Sequence, residues 1–522
     1  DDLLDAVLTL AKNREKRVRE FDREAHHTLA KKAARESIVM LKNEEKPFQL
    51  LPLKENTRVA LIGDFASVPR YQGAGSSLVN PTKVETMEQM ISSYPIQCIG
   101  TAKGYQRTGE ADEVLKKEAV NLAKMADVVI YCFGLDELSE SEGLDRTHMR
   151  IPQNQVELLE AMAKVNSNIV GVLSAGSAVE MPWHSCCKAL LHGYLGGQAS
   201  AGAMLDVLTG KANPSGRLSE TYPVRYEDTP AFKYFPSTER NSEYRESLFV
   251  GYRYYDTSKV RVQYPFGYGL TYAAFSYEKM QIKKERGCIK VSCFIKNTGE
   301  RSADEVVQLY VHKKGSRVQR PIRQLVGFER IHDIQPKETR KVTFMVQLWE
   351  LEYYDVISER MILEEGTYQF MAGASSQDIR LEQSIEIDGT HAGKRNPFQA
   401  TAADCYDAYD HMFLHRGING SSCVIPGDDP DEMKKQPVSG KLIYHDFVFS
   451  KKPLRLNITL KVLEPVKVTV TGKNVATVTA EPVDCYRMLE MDLPENFIET
   501  GKPETIQIQV EGKCKISKFV FA

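Results

Sequence analysis

The sequence has few of the features that mark membrane or nucleic-acid-binding proteins. No apolar run approaches the ~20 residues that a helix needs to cross a bilayer, and its first residues show no signal-peptide pattern. The formal net charge is −2, without a basic block or an acidic tail. We therefore expect a soluble cytoplasmic protein that binds neither nucleic acid nor a membrane.

Motifs for metal binding and for common nucleophiles are missing as well. The ten cysteines lack CxxC spacing, no HExxH motif occurs among the histidines, and there is no GxSxG motif. The glycine-rich stretch PRYQGAGSS lacks the GxGxxG spacing of a dinucleotide site. We expect no metal site. The cysteines are predicted to be reduced, although Cys405, Cys423, Cys485 and Cys514 would be free to pair in an oxidising compartment.

What the sequence does contain is the pattern of several folded domains over 522 residues, of which 42% are hydrophobic and 26% charged. Residues 1–27 form a predicted helical lead-in, and a second helix is predicted over HTLAKKAARESIVMLKNE. Across 28–222, continuous apolar strands alternate with amphipathic helices. This pattern predicts an α/β domain, a mainly parallel sheet with helices on both faces.

The rest of the chain has β character. Residues 223–263 are an irregular interdomain linker rich in tyrosine, and 264–390 show the period-two pattern of an immunoglobulin-like sandwich. Residues 391–522 predict a second β-sandwich, in which IQIQVEGKCKISKFVF is a closing hairpin. The tyrosines of FVGYRYYD are compatible with a sugar site or with interdomain packing, and packing is favoured.

Two loops of the α/β domain are candidates for chemistry. LSESEGLDRTHMRIP (138–152) and PRYQGAGSS (69–77) both follow predicted strands, so both should lie at the carboxyl edge of the sheet, where ligands bind. Glu140 and Glu142 are compatible with two interpretations: they are charged side chains on a solvated loop, or one of them is a proton donor. Glycosidase chemistry needs two facing carboxylates, however, and a second one is not evident.

A series of segments resembles glycoside hydrolase family 3, whose members include β-glucosidases. In chain order from about residue 28 to about 388, they include AARESIVMLKNE, RVALIGDFASVPRYQGAGSS, SESEGLDR, IPQNQVELLEAMAKVN, SAGSAVEMPW, YLGGQASAGAMLDVLTGKANPSGRLSETYP, VGYRYYD and YPFGYGLTY. The resemblance implies an α/β-sandwich domain followed by a fibronectin type III-like domain over 264–390.

The resemblance also implies roles for individual residues. Glu142, in the SEG-x-DR pattern, matches the general acid/base, with Glu140 as the alternative, and such an acid should have a raised pKa. Ser76, or Ser77, matches a serine that touches the sugar, and Arg70 and Gln72 on the same loop are predicted to face the substrate.

The family's nucleophile is an aspartate, typically followed by tryptophan, on a (β/α)8 barrel. Here Trp183 and Trp349 follow proline and leucine, and a barrel of about 250 residues has no room. We therefore expect the nucleophile on a barrel domain or chain outside this sequence, with residues 1–27 resembling the segment that leaves the barrel.

The implied protein is the C-terminal part of a retaining β-glucosidase that needs no cofactor and acts on terminal β-D-glucosyl residues. We expect it to be inactive by itself, and the resemblance is compatible with a homo-oligomer. The alternatives are a β-xylosidase or N-acetylglucosaminidase of the same family, or a non-catalytic carbohydrate-binding protein. Residues 391–522 resemble carbohydrate-binding modules of family 6. In this region the candidate sugar contacts are Tyr406, Tyr409, Phe413 and Tyr444, and a structural or docking role is the alternative to sugar binding.

Overall fold

The protein is described by a computed structural model that covers residues 2–13, 21–45, 48–233, 235–236, 246–390, 393–416, 421–427 and 438–522. Helix α1 (Asp2–Asn13) begins the chain, and its apolar side chains Leu3, Leu4 and Val7 are exposed. The remainder of the predicted lead-in, up to residue 20, lies outside the described residues. Within the described ranges, no helix has the length and apolarity to span a bilayer.

A six-stranded sheet forms the centre of the α/β domain, in the order β1-β6-β5-β4-β2-β3. Only β1 runs antiparallel to its neighbour, so the sheet is mixed. The strands are β1 (Val39–Asn43), β2 (Arg58–Ile62), β3 (Gln97–Ala102), β4 (Val128–Gly134), β5 (Ile169–Ser174) and β6 (Ala189–His192). The helices are α2 (Arg23–Ser37), α3 (Asp64–Ser67), α4 (Met87–Met90), α5 (Glu113–Met125), α6 (Gln153–Ala163) and α7 (Ser200–Leu208).

Helices cover both faces of this sheet because its central strands are apolar on both sides. In β4, Val129 and Tyr131 belong to the core beneath α5 and α6. Val128 and Ile130, which alternate with them, belong to the core beneath α2 and α7. All seven residues of β4 are buried, as expected for a central strand of a parallel sheet.

The predicted second helix is wrong in its C-terminal half. Helix α2 ends at Ser37, and the following VMLKN is strand β1, which pairs with β6. Val39, Met40 and Leu41 are each at most 1% exposed. Burial on both faces of the sheet edge overrides the helical pattern that the preceding alanines and lysines suggested.

The first β-sandwich packs a three-stranded sheet, β13-β10-β9, on a four-stranded sheet, β12-β11-β16-β17. Both sheets contribute to one core, which includes Val291, Leu309 and Phe370. Its strands and the small hairpin β14–β15 are β9 (Phe275–Glu285), β10 (Cys288–Asn297), β11 (Ala303–Lys313), β12 (Gln324–Ile334), β13 (Thr339–Gln347), β14 (Tyr353–Asp355), β15 (Arg360–Ile362), β16 (Gly366–Gly373) and β17 (Ile379–Ile387).

Two further sheets form a second sandwich around Leu456, Val468 and Ile508. One sheet has the order β20-β21-β28-β23-β26 with β18 added to β28, and the other has the order β19-β22-β27-β24-β25. The strands are β18 (Thr401–Ala402), β19 (Ala408–Asp410), β20 (Met412–Arg416), β21 (Ser422–Pro426), β22 (Ser439–Val448), β23 (Arg455–Val462), β24 (Val466–Thr471), β25 (Val475–Ala480), β26 (Arg487–Asp492), β27 (Pro503–Glu511) and β28 (Cys514–Phe521).

The predicted closing hairpin is therefore wrong. Strands β27 and β28 lie in different sheets, and β27 pairs with β22 and β24 while β28 pairs with β23. The short connection at Gly512 carries the chain across the core. Alternation along two adjacent strands indicates which side chains are buried, but it does not indicate whether the strands pair with each other.

The linker is partly regular among its described residues. It contains helix α8 (Tyr252–Ser258) and strand β8 (Val262–Tyr264), which pairs with β7 (Tyr222–Pro223). Tyr252 stacks on Phe266 with ring centroids 4.7 Å apart, and Tyr255 is buried. Tyr252 also contacts Tyr310 of the first sandwich, so it packs between the linker and that domain. All ten cysteines lie among the described residues and carry free thiols in this structure, while their redox state in the cell stays a prediction.

Candidate active site

The two candidate loops meet at the carboxyl edge of the sheet. Strands β2 and β4 are parallel neighbours, so the segments that follow Ile62 and Gly134 leave the sheet at the same edge. The loops touch where Ala74 forms a parallel β-bridge with Ser141. The sequence prediction that both loops share one edge is confirmed.

Glu142 lies exposed on this edge and contacts Ser76. The Ser76 amide donates to Glu142 Oε2 at 2.9 Å, and the Ser76 hydroxyl donates to the same oxygen. These hydrogen bonds, the one from the Ser76 side chain above all, lower the pKa of Glu142 from its ordinary value. The raised pKa expected of a proton donor is thus not found in this chain.

The close approach of Ser76 to Glu142 depends on a glycine. Residues Gly75–Ser77 form a single 3-10 turn, and Gly75 has φ +80°. A Cβ at Gly75 would lie 2.9 Å from Glu142 Cβ, closer than carbon atoms approach in folded proteins. Glycine therefore satisfies both the left-handed backbone and the steric limit at this position.

Glu140 faces inward, and its side chain is only 10% exposed. Its Oε2 accepts from Arg70 Nη1 at 2.6 Å and from the Gly176 amide at 2.7 Å. The Ser177 hydroxyl donates to Oε1, and Arg146 Nη1 lies 3.6 Å from the same atom. Burial raises the pKa of Glu140, but the donors Ser177, Gly176 and Arg70 outweigh it and lower the pKa overall.

The other predicted substrate contacts support the loops in this structure. Arg70 is 3% exposed, and its Nη1 also donates to the Leu135 carbonyl at 2.8 Å. Gln72 is hydrogen-bonded in both directions to the Val79 backbone, and Ser77 Oγ donates to the Ala74 carbonyl. Among these candidates, Ser76 is the one in contact with Glu142, and substrate binding by all of them, Ser76 included, stays a prediction.

Arg146 holds the loop 138–152, which we call the acid loop, against the segment that follows β5. Arg146 Nη1 donates to Ser177 Oγ at 2.7 Å and lies 3.6 Å from Glu140 Oε1. The partly buried guanidinium thus pairs with the inward-facing carboxylate of Glu140, whereas Asp145 is exposed.

Glu220 is a titratable residue of this region that the sequence reasoning missed. Burial raises its pKa to about 7, an effect that Glu140 increases and that the Ala178 backbone and Arg146 reduce. Glu220 lies in GRLSETYP, which carries family resemblance but no motif of its own. Only the fold brings this segment next to the Ser177–Ala178 backbone.

Exposed apolar side chains flank Ser76 on one loop and Glu142 on the other. Val68, Leu78, Val79, Leu138 and Leu144 are between 56% and 75% exposed, and we call them the rim patch. Isolated exposed apolar residues are common, but several on two loops that meet are typical of a surface that contacts another molecule.

One group of possible metal ligands exists among the described residues, away from these loops. Glu36, Asp304 and His332 bring ligand atoms within 4.8 Å of one another. His332 Nδ1 lies 2.9 Å from Asp304 Oδ2, and Arg330 Nη1 lies 3.6 Å from it. Lys32 Nζ lies 3.9 Å from Glu36 Oε1, so each of the two carboxylates already has a positively charged partner, which argues against a cation there.

Fold and site together define an α/β domain that presents an exposed carboxylate and a serine at the carboxyl edge of its sheet, joined to a fibronectin-like sandwich. Residues 38–272 match the glycosyl hydrolase family 3 C-terminal domain, and residues 305–376 match the fibronectin type III-like domain. The chain belongs to glycoside hydrolase family 3.

Known proteins similar to this chain are glycosidases by name. Thermostable β-glucosidase B of Acetivibrio thermocellus is 42% identical over 391 residues, which are 74% of this chain and 51% of that protein. An exo-α-(1→6)-L-arabinopyranosidase of Bifidobacterium breve is 38% identical, over 72% of this chain and 50% of that protein. The crystal structure of the family 3 β-glucosidase of Bifidobacterium adolescentis superposes with a TM-score of 0.68 at 38% identity, over 74% of this chain and 56% of that one.

The chain spans about half the length of the curated relatives it matches. The sheets formed by its described residues are one open six-stranded sheet, two sandwiches and two small strand pairs, none of them a (β/α)8 barrel. The second sandwich lies outside both family matches.

Proposed function

We propose that this chain supplies the general acid/base of a retaining β-glucosidase, with Glu142 as the acid/base and the nucleophile carried by a (β/α)8 barrel polypeptide. The observation that carries the proposal is the Ser76–Glu142 pair, exposed at the sheet edge of a family 3 C-terminal domain. Glu142 protonates the glycosidic oxygen as the leaving group departs. The resulting carboxylate then takes a proton from the water that hydrolyses the glycosyl-enzyme.

In this chain alone, Glu142 is not in the protonated form that a general acid needs. Hydrogen bonds from Ser76 keep the pKa of Glu142 low, so at neutral pH the exposed carboxylate is ionised and has no proton to give. A docked barrel would bury Glu142 and bring an anionic nucleophile to within about 5 to 5.5 Å of it. Both changes favour the protonated form, as a general acid requires.

The rim patch supports the docking of a second polypeptide at this edge. Its five exposed apolar side chains lie within eight residues of Ser76 or Glu142 in sequence, on the two loops that meet at this edge. Without such a partner, a sugar bound at Glu142 would remain exposed to solvent. A barrel that covers the rim patch would bury these side chains and close the site around the substrate.

The sugar that we propose is a terminal β-D-glucosyl residue, as in the names of the similar β-glucosidases. One similar protein is named for an L-arabinopyranosyl substrate. Activity is therefore best measured on aryl β-D-glucoside, β-D-xyloside, N-acetyl-β-D-glucosaminide and α-L-arabinopyranoside side by side. Fastest turnover of a sugar other than glucose would correct the substrate and leave the mechanism intact.

We also propose that the second sandwich binds carbohydrate. Of its four aromatic candidates, Phe413 and Tyr444 are 3% and 0% exposed and belong to cores. Tyr409 is 37% exposed and borders, with Tyr406, a cavity of about 480 Å³ that also touches α8. A loss of cellobiose binding in Tyr409→Ala, measured by calorimetry on the chain, would support this role.

The central experiment compares the isolated chain with the chain expressed together with a family 3 barrel domain. We expect no hydrolysis of aryl β-glucoside by the chain alone and turnover when the barrel is supplied. Glu142→Ala should then abolish most hydrolysis of cellobiose but less of an aryl glucoside, whose leaving group hardly needs a proton. Added azide should restore turnover of the alanine variant as β-glucosyl azide, because a small anion can replace water without a base.

Glu137→Gln is the matched control. Glu137 lies on the same loop, and its side chain is 40% exposed and pairs with Arg107. This variant should keep the turnover of the wild type. Robust hydrolysis by the isolated chain would contradict the split site, and equal losses on both substrates in Glu142→Ala would contradict proton donation. Tight glucose binding without turnover would indicate a non-catalytic binding protein.

A further inference from the structure

The carboxylate of Glu140 joins three loops that leave three neighbouring strands. Arg70 follows β2, Glu140 follows β4, and the Gly176–Ser177 segment follows β5. Both Glu140 oxygens accept hydrogen bonds, Oε2 from Arg70 and Gly176, and Oε1 from Ser177. One buried side chain thus connects the loop of Ser76, the loop of Glu142 and a third loop beneath them.

This connection is stronger than that of an ordinary surface ion pair because the partners are buried. The Arg70 side chain is 1% exposed and that of Glu140 is 10% exposed. A charge-assisted hydrogen bond in such surroundings fixes geometry, and removal of one partner leaves the other charge buried and unpaired. Arg146 contacts the same carboxylate from the C-terminal part of the acid loop, so Glu140 holds that loop at two points.

The position of Glu142 relative to Ser76 depends on this connection. Glu140 precedes Glu142 by two residues, and between them Ser141 forms the bridge to Ala74. On the other loop, Arg70 lies six residues before Ser76. Ser76 and Glu142, which touch at the exposed edge, are therefore also connected through the buried pair of Arg70 and Glu140. Only a few backbone residues separate each of them from its partner in that pair.

We propose that Glu140 is a positioning residue that holds Glu142 against Ser76 through its buried contacts with Arg70, Gly176 and Ser177. This inference rests on the proposed function only in what Glu142 does with a substrate. Glu140 itself does not serve as the proton donor, because its oxygens are occupied by donors and its side chain faces inward. The two glutamates of SESEG thus have separate tasks, one in chemistry and one in geometry.

The test on the isolated chain uses Glu142 as the reporter. With carboxyl-¹³C glutamate, the Glu142 resonance is assigned by its loss in Glu142→Gln, and its pKa is measured by titration. Glu140→Gln keeps the shape of the side chain but removes the charge. We expect the pKa of Glu142 to rise toward its ordinary value as the Ser76 contact loosens, with no such rise in Glu137→Gln.

A milder variant covers the case in which Glu140→Gln fails to fold. Ser177→Ala removes the hydroxyl that donates to Glu140 but no charge, and it should shift the pKa of Glu142 in the same direction by a smaller amount. A pKa of Glu142 unchanged in whichever variants fold would overturn the positioning role, since a purely structural contribution would lower stability without reaching Glu142.

Turnover separates this inference from the proposed function. In the barrel-complemented preparation, Glu140→Gln should lower kcat about 10- to 100-fold with little change in KM, as misplacement of a catalytic group does. Full activity in Glu142→Ala would remove the proposed function alone. Loss of activity in Glu142→Ala together with full activity in Glu140→Gln would remove the positioning role alone.

Discussion

At the scale of the residue, environment divides three glutamates of one region into different chemical states. Glu140 is ionised because buried donors surround it, and Glu142 is ionised because Ser76 donates to it at an exposed edge. Glu220 is driven toward its neutral form by burial. The sequence shows three acidic residues of one type, whereas the fold decides which holds a proton near neutral pH.

Glu220 makes a pH-dependent contribution to stability. Its pKa in the folded chain is about 7, above the value of about 4.3 in an unfolded chain. Its contribution is thus fully present below about pH 4.3 and is lost as the pH rises through 7. Glu220→Gln should therefore become more stable relative to the wild type between pH 5 and pH 8, by about 1 to 3 kcal/mol. Urea denaturation at both pH values measures the difference.

The control for this prediction is Glu227→Gln, which changes an exposed glutamate nearby. It should show no pH-dependent difference from the wild type. His192 titrates with the opposite sign, since burial lowers its pKa to about 4, but it is present in all three proteins and cancels in the comparison. An equal stability difference at pH 5 and pH 8 would contradict the assignment to Glu220.

At the scale of the element, the sequence predicts which segments are helices or strands and which side chains are buried. It predicts less well which strands pair with each other. The strong periodic segments EVLKKEAVNLAKM and VVIYCFG are helix α5 and strand β4. The wrong predictions, β1 as helix and β27–β28 as a hairpin, concern which partner a segment meets. Partner choice depends on residues distant in the chain, which a local pattern does not contain.

The same limit applies to the candidate site, whose location could be predicted from the sequence but not the contacts of each residue in it. That both loops lie at one edge follows from parallel strands, and the structure has them touching there. The inward turn of Glu140 and the burial of Arg70 could not be predicted, because they depend on a third loop at Gly176. The sequence therefore indicates where a site is, while the distribution of roles within it requires the packed loops.

The turn at Gly75 gives a prediction at this scale. Gly75→Ala should displace Glu142, because the new Cβ would lie 2.9 Å from Glu142 Cβ and 3.0 Å from Oε2. We expect the Ser76 contact to be lost, the pKa of Glu142 to rise in the ¹³C titration, and activity of the barrel-complemented enzyme to fall about 10-fold or more.

Gly109→Ala is the control for backbone strain. Gly109 has φ +88°, similar to Gly75, but nothing lies within 4 Å of its added Cβ. Each variant should lose about 1 kcal/mol of stability from the positive φ, and only Gly75→Ala should alter Glu142. The same titration curve for Glu142 in both variants would show that the steric contact does not position this residue.

At the scale of the whole molecule, an ion-pair cluster joins the two sandwiches. Arg317, between β11 and β12 of the first sandwich, pairs with Asp355 of its own sandwich. It also pairs with Asp407 and Asp446 of the second sandwich, both at 3.1 Å. Asp355 and Asp407 have fully buried side chains, so these charges depend on their partners. The second sandwich is thus held to the first by specific buried contacts.

Arg317→Ala should therefore destabilise the chain by about 3 kcal/mol, since it leaves buried carboxylates with fewer partners. Arg395 still pairs with Asp407 at 2.9 Å and limits the loss. Chemical denaturation of the chain measures the loss. Limited proteolysis should show cleavage near residues 388–394 before either sandwich is degraded, because the interface opens first.

Arg340→Ala is the control. It removes an exposed pair with Glu338 and should change neither the stability nor the order of cleavage. If Arg317→Ala matched Arg340→Ala in both measurements, the cluster would not be what joins the sandwiches, and their contact would have to depend on apolar packing instead.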